Sequence, residues 1–233
     1  MNRFKTYLHY FSRVEWIIWS VSILMVLCSF WISGEKELLT LFASLIGVTS
    51  LIFCAKGNPV GLILMILFST VYAVISYFCA YYGELITYAG MTLPMSIVSL
   101  VSWLKNPYRG NKAEVKVNRL APQELIPMVA LALVVTFAFY FILRALGTES
   151  LIWSTISIAT SFVAAYLAFR RSPFFSLAYA ANDVILIILW ILATVKDLSY
   201  LSVVICFAAF LINDIYGYIS WSRMQKRQAE KES

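Results

Sequence analysis

Charge is scarce in this chain: Asp, Glu, Lys and Arg make up 13% of its 233 residues, against about 25% in a soluble domain. Histidine is scarcer still. His9 stands alone in the polar N-terminal segment, which excludes a metal or proton site built from histidines. The four cysteines, Cys28, Cys54, Cys79 and Cys206, lie scattered in apolar stretches without paired spacing. They read as small hydrophobic fillers rather than disulfides or metal ligands. The phosphate-binding pattern GxxxxGK[ST] is missing, so the chain does not hydrolyse ATP itself. Neither HExxH nor GxSxG occurs, and no catalytic residue, metal or cofactor is expected. No small-x-small cleavage site follows the first apolar stretch, where Phe30-Trp31-Ile32 is bulky, so the N-terminus does not read as a cleaved signal.

What fills the chain is hydrocarbon. Its residues are 61% hydrophobic, and the mean hydropathy is +0.82. Eight apolar blocks recur, at about 15–33, 38–55, 59–81, 85–104, 123–146, 151–169, 174–195 and 198–221. Each is long enough to cross about 30 Å of bilayer as a helix. A transmembrane barrel needs short segments of alternating polarity, and these runs are continuous. The expected fold is an all-α membrane protein of eight transmembrane helices.

Positive charge sets the orientation. With the N-terminus in the cytoplasm, the cytoplasmic segments hold fifteen of the 18 Lys and Arg residues, leaving Lys36, Arg144 and Lys196 outside. Both termini are therefore expected on the cytoplasmic side. The same bias explains the sequence pI of about 9.1. These charges sit in short loops beside helix ends, where anionic lipid attracts them, so the partner is the bilayer and not a nucleic acid.

A polar linker, KNPYRGNKAEVKVNRLAPQE from Lys105 to Glu124, divides the chain, and its two sides resemble each other. CAKGNP closes the second block and FRRSP the sixth; Gly83-Glu84 opens the fourth and Lys196-Asp197 the eighth; Trp103 and Trp221 close the fourth and eighth. Pro59 precedes Glu84 by 25 residues and Pro173 precedes Asp197 by 24. This predicts two copies of a three-helix unit with a single helix between them, a parallel three-one-three repeat core preceded by one extra N-terminal helix. The corresponding segments are 1–36, the N-terminus and extra helix; 37–104, the first unit; 105–148, the linker and linker helix; 149–222, the second unit; and 223–233, a cytoplasmic tail. Parallel repeats place a solute path at their interface near the middle of the bilayer.

Two acids lie well inside the blocks. ANDVILIILW carries the pair Asn182-Asp183, with Asn182 eight residues before Trp190, and FLINDIYGYISW carries Asn213-Asp214, with Asn213 eight before Trp221. An acid at a helix centre costs roughly 2.5–3.5 kcal/mol on insertion scales, so both should face the bundle interior or water. Interhelical hydrogen bonding is the structural alternative. The two residues of a pair point about 100° apart on a helix. The asparagines are read as solute ligands and Asp183 and Asp214 as counter-charges behind them, with Tyr216 and Gly217 completing the second pair's surface. No Lys or Arg lies deep in any block, which disfavours an anionic solute and suits a cation or a neutral polar one. Aromatic residues, among them Tyr72 and Trp190, supply faces for stacking or for holding a positive charge. Trp103 and Trp221, at helix ends, read as interfacial anchors.

AKGNPVG before the third block, Gly83-Glu84, the closing Trp103-Leu104-Lys105, the basic linker and NDIYGYISW together resemble the PnuC family of bacterial vitamin-precursor transporters. The resemblance runs from about residue 38 to the C-terminus. Its most specific part is Asn213, Tyr216, Gly217 and Trp221, the pattern Asn-x-x-Tyr-Gly-x-x-x-Trp. It implies a SWEET-like fold in the bacterial inner membrane and facilitated diffusion of nicotinamide riboside, trapped afterwards by a cytoplasmic kinase. It also leaves a homo-oligomer open. Two departures bear on the solute: PMSIVSLVSW, at 94–103, lacks the Asn and Tyr-Gly of that family, and VGLILM lacks a further Asn. Relatives carrying thiamine, riboflavin or deoxynucleosides differ at such positions, so these solutes remain alternatives, as does a non-transporting membrane protein. The nicotinamide mononucleotide would lack buried cations for its phosphate.

Overall fold

The computed structural model describes residues 10–33, 38–78, 82–148, 150–196 and 198–232. Of the residues used above, Arg3, Lys5, His9, Lys36, Cys79 and Asp197 lie outside them. The helices are α1 (Arg13–Ser33), α2 (Leu38–Ala55), α3 (Pro59–Phe78), α4 (Tyr82–Thr87), α5 (Leu93–Lys105), α6 (Pro122–Ala145), α7 (Leu151–Phe169), α8 (Phe174–Thr194) and α9 (Leu201–Glu230). A single π turn, Tyr88–Thr92, joins α4 to α5. The described residues thus contain eight helices long and apolar enough to cross a membrane, α4 and α5 together making the fourth. The chain is an all-α membrane protein.

Helix boundaries follow from the sequence punctuation. α2 ends where Gly57 takes a φ of +65°, and α7 ends where Arg171 takes +56°. In the first turn the amides of Gly57 and Asn58 donate to the carbonyls of Cys54 and Phe53; in the second, those of Arg171 and Ser172 donate to Ala168 and Leu167. Pro59 and Pro173 then start the next helix, where a missing amide costs nothing. The linker caps both turns alike: Val115 N–H donates to Gly57 O and Asn118 N–H to Arg171 O.

The two halves of the chain grip each other at this end. Trp103, closing α5, donates its indole N–H to Ala168 O at 2.8 Å, and Trp221, on α9, donates to Cys54 O at 2.8 Å. The two rings lie 5.2 Å apart and are almost wholly buried, with Phe175, Leu62 and Val115 around them. This corrects their reading as interfacial anchors. A Trp at a helix end meets headgroups only if its face is turned outward, and here both turn inward to bond helix-terminal carbonyls, each of which also accepts an amide of its own turn.

The polar linker is folded as well. Pro107–Tyr108 pairs antiparallel with Asn111–Val115 across Arg109 and Gly110, both at positive φ. That geometry suits a two-residue hairpin turn. Gln228 holds it down: its Nε2 donates to Val115 O, and its Oε1 accepts from Val117 N–H. Arg227 pairs with Glu114. These contacts carry α9 helically through the expected tail as far as Glu230.

α1 packs against α2 and α9 through polar contacts: Trp19 Nε1 donates to Thr49 Oγ1 at 3.2 Å, and Lys56 Nζ lies 3.0 Å from Glu15 Oε2. α6 fully buries only Leu143 among its described residues, which suits a linker helix facing lipid.

The fourth span, expected as one regular helix, is widened in its middle. Leu93 N–H reaches back five residues to Tyr88 O. Pro94 has no amide for the Gly90 carbonyl, so the ladder cannot keep its ordinary i to i−4 step there. The bulge turns Thr87, Tyr88 and Thr92 inward, onto a cavity. Single π turns of this kind are common at functional sites.

Candidate functional site

A cavity of about 340 Å³ lies between α3, the α4–π–α5 span, α7, α8 and α9. From α8, Asn182, Asp183, Tyr179 and Trp190 face it; from α9, Asp214 and Phe210; from α3, Tyr72 and Phe68. Glu84, Tyr88 and Thr92 enter from the widened span, and Ser157 and Ser161 from α7. Gly83 and Thr148 carry the cavity to the end of the bundle opposite the linker. No Lys, Arg or His lies among the described lining residues.

Each polar group is positioned by its helix neighbours. The Asn182 carbonyl oxygen accepts from Thr160 Oγ1 at 2.8 Å and from Ser157 Oγ at 3.2 Å, fixing the amide against α7. Asp183 and Asp214 face the same cavity from α8 and α9. Both are buried, and Asp183 Oδ2 has no hydrogen-bond partner. Tyr72 and Tyr88 lie 4.5 Å apart and each meets Phe68, at 5.5 and 5.7 Å, making an aromatic wall. Trp190 packs on Tyr200 at 5.4 Å toward the far end.

The structure brings together five of the sequence candidates: Tyr72, Asn182, Asp183, Trp190 and Asp214. Three others face elsewhere. Asn213 is 2% exposed and donates from Nδ2 to Ser22 Oγ of α1 at 2.7 Å and to Ala209 O at 2.8 Å. Tyr216 donates to Glu15 Oε1, also of α1, at 3.0 Å. Gly217 lies under Ser176, where an added Cβ would sit 2.7 Å from Oγ; it permits the close crossing of α8 and α9. On α9 it is therefore Asp214, not Asn213, that faces the cavity, the reverse of the roles expected for that pair. The 100° between adjacent residues has to fall one way or the other, and α1 occupies the Asn213 side.

Glu84 is a third acid in the cavity that the reading of block interiors passed over, because it opens its block. The spacing Gly90-x-x-x-Pro94, a weak point in an otherwise helical run, is the sequence signal for the bulge that admits Tyr88 and Thr92.

An aromatic and carboxyl-lined cavity inside an eight-helix membrane bundle is the setting in which relatives become informative. The family model described as nicotinamide mononucleotide transporter matches residues 37–223. The chain belongs to that family. It is 24% identical over 216 residues to the nicotinamide riboside transporter PnuC of Neisseria mucosa, covering 91% of this chain and 82% of that one. It is 21% identical over 214 residues to the protein of the same name from Haemophilus influenzae, covering 91% of each. The crystal structure of the vitamin B3 transporter PnuC superposes with a TM-score of 0.77 at 23% identity, over 94% of both chains. That likeness extends to the fold. α1 precedes the matched segment, so the partners of Asn213 and Tyr216 in α1 fall outside it.

Proposed function

We propose that this transporter carries nicotinamide riboside downhill across the bacterial inner membrane, by alternating access around the cavity, with a cytoplasmic kinase trapping the product. One observation carries the choice of solute: the cavity joins an aromatic wall to three acids, Glu84, Asp183 and Asp214, with no described cation among its lining. Nicotinamide riboside is a pyridinium cation bearing a neutral ribose, so its ring can stack and its charge has carboxyl groups to meet. The mononucleotide adds a phosphate, which would meet those acids and no Lys or Arg. Although the family takes its description from the mononucleotide, the lining favours the riboside. A cavity of about 340 Å³ falls in the usual range for small-molecule sites.

Alternating access follows from the two matched turns. The Trp103 and Trp221 indoles close the linker end by exchanging hydrogen bonds between halves, while the cavity reaches the other end. Rocking of two parallel SWEET-like three-helix units, at 37–104 and 149–222, would break that closure and open the linker side. Placing the linker in the cytoplasm, as the basic residues require, puts both termini there and makes this state the one open outward. One chain builds the whole cavity, so the reading needs no partner subunit.

Purified carrier in liposomes should equilibrate labelled nicotinamide riboside, and excess mononucleotide should not compete. Equilibration of the mononucleotide in place of the riboside would overturn the assignment.

A further inference from the structure

Tyr216 belongs to the most specific pattern in the sequence, and the cavity does not use it. It leads instead to a buried junction at the linker end. Its hydroxyl donates to Glu15 Oε1 of α1 at 3.0 Å, and Lys56 Nζ lies 3.1 and 3.0 Å from the two oxygens of the same carboxylate. Glu15 is buried. Lys56 follows α2 in the first unit, and Tyr216 lies on α9 in the second. One carboxylate of α1 therefore joins the two units. Ser12 explains only part of this placement. Its amide donates to Glu15 Oε2 at 2.6 Å and its Oγ accepts from the Glu15 amide at 3.3 Å, a capping box that needs neither Lys56 nor Tyr216. Tyr10 and Phe11 also flank the Lys56 ammonium, 4.8 and 5.7 Å from their ring centres.

The second unit carries a matched brace without the crossing. Aligning Pro59 with Pro173 sets Lys56 against Arg170, and Arg170 pairs with Glu124. Glu124 lies in the first turn of α6, as Glu15 does in that of α1, and each helix directly precedes its unit. Aligning Trp103 with Trp221, however, sets Tyr216 against Val98, which is exposed. Glu124 Oε2 is buried without a hydrogen-bond partner among the described residues. Both braces hold a turn, but only the one at Glu15 ties unit to unit. It stands beside the Trp221 contact, which crosses to Cys54 O at the end of the same helix α2.

We propose that Glu15 is a positioning residue for transport: through Tyr216 and Lys56 it latches the two units together at the linker end, and the latch parts when that end opens. This inference rests on the reading that the units rock to open the linker side. The Tyr216 hydrogen bond is the element that breaks, since parting the units takes α9 away from the α2–α3 turn while Lys56 stays with Glu15. A hydrogen bond to a charged group is worth about tenfold or more in such an equilibrium. The latch shifts the populations of the two states and not the direction of transport, so it agrees with downhill carriage.

Hydrogen exchange of the solute-free full chain in nanodiscs, read by mass spectrometry, tests this at the two matched turns, 54–60 and 168–175. In the wild type these turns should open together, with similar protection once intrinsic rates are allowed for. Tyr216→Phe and Glu15→Gln should each speed exchange about tenfold at both turns, including the one that Glu15 does not touch. Glu124→Gln should speed it at 168–175 alone. Amides of α8 around Asn182 should keep wild-type protection in every variant, which separates opening from unfolding. Acceleration confined to 54–60, no acceleration in Tyr216→Phe, or equal acceleration in α8 overturns the latch and leaves the rocking of the units standing. Wild-type turns that open independently overturn the rocking, and the latch with it. Tyr216→Phe keeps the ring and the Glu15–Lys56 pair, so it decides alone if Glu15→Gln does not fold.

Discussion

Asn213 belongs to the most specific sequence pattern in the chain, and its position makes a quantitative claim about what that residue does. As a solute ligand, its loss would leave a polar group on the solute unpaired and weaken binding by one to a few kcal/mol, on the order of 1–3. The structure directs its Nδ2 instead to Ser22 Oγ of α1 and to Ala209 O within its own helix. Asn213→Ala then removes one interhelical hydrogen bond, worth about 0.6 kcal/mol on average in a bilayer and about 1.7 at most. It also removes Oδ1, a buried oxygen that already lacks a partner, so part of the loss is offset. Ser22→Ala should cost a similar amount. The double variant should cost little more than either alone, giving a coupling of about 0.6–1.7 kcal/mol.

The assay is a double-mutant cycle on Ser22 and Asn213, read by SDS-induced unfolding of the purified protein alongside solute titration. Stability should shift modestly and non-additively. Solute affinity should stay within about threefold of wild type in all three variants, because neither side chain reaches the cavity. If Asn213→Ala weakens solute binding more than about tenfold while Ser22→Ala does not, the placement of Asn213 against α1 is wrong. Strictly additive effects on stability would refute the hydrogen bond itself.

Other perturbations test the remaining parts of the site and its frame. Trp190→Ala should weaken riboside binding by about 1–3 kcal/mol through lost stacking, with little change in melting temperature, as a titration beside a thermal scan would show. Trp221→Phe keeps most of the ring but leaves Cys54 O with the Gly57 amide alone; it should cost about 0.5–1.5 kcal/mol by SDS unfolding, as should Trp103→Phe, where Ala168 O keeps the Arg171 amide. Unequal losses would count against a reciprocal closure. Gly217→Ala should cost about 1–3 kcal/mol by the same measurement, because its methyl would press on Ser176 Oγ; Ser176→Ala should relieve part of that. Arg171→Gly should stabilise by up to about 1 kcal/mol, since Arg171 holds a positive φ where the matched turn has Gly57.

Length and hydrophobicity made the eight spans legible, and Gly-Asn-Pro, Arg-Ser-Pro and the two closing tryptophans marked the matched turns. Facing was not legible. In a bilayer a helix turned to lipid and one turned to protein are both apolar, so the sequence carries little rotational signal around α9. Asn213 and Asp214 are adjacent polar residues, and only the presence of α1 on one side settles which of them meets the cavity. Trp103 and Trp221 were misread for a related reason, since a Trp at a helix end suits a headgroup layer or a sealed core equally well. The hairpin at Pro107–Val115 was hidden in a segment whose lysines suggested solvent, although Val115 is fully buried at the seam between the halves.

The frame repeats, while the site chemistry does not. Aligning Pro59 with Pro173 sets Asn182 and Asp183 against Phe68 and Ser69; aligning Trp103 with Trp221 sets Asp214 against Ser96. Ser69 and Ser96 are buried, and Ser69 Oγ donates to Met65 O of its own helix. The carboxyl pair and its amide neighbour therefore come from the second half alone. The first half supplies the aromatic wall of Phe68, Tyr72 and Tyr88, together with Glu84. Symmetry serves the turns and the tryptophan closure, where two like units must part and meet again. Recognition of an asymmetric solute, a charged ring at one end and a sugar at the other, calls for different groups on the two walls. A pair of identical walls would bind such a solute in two reversed poses, and each wall would then be a poor match for one end of it.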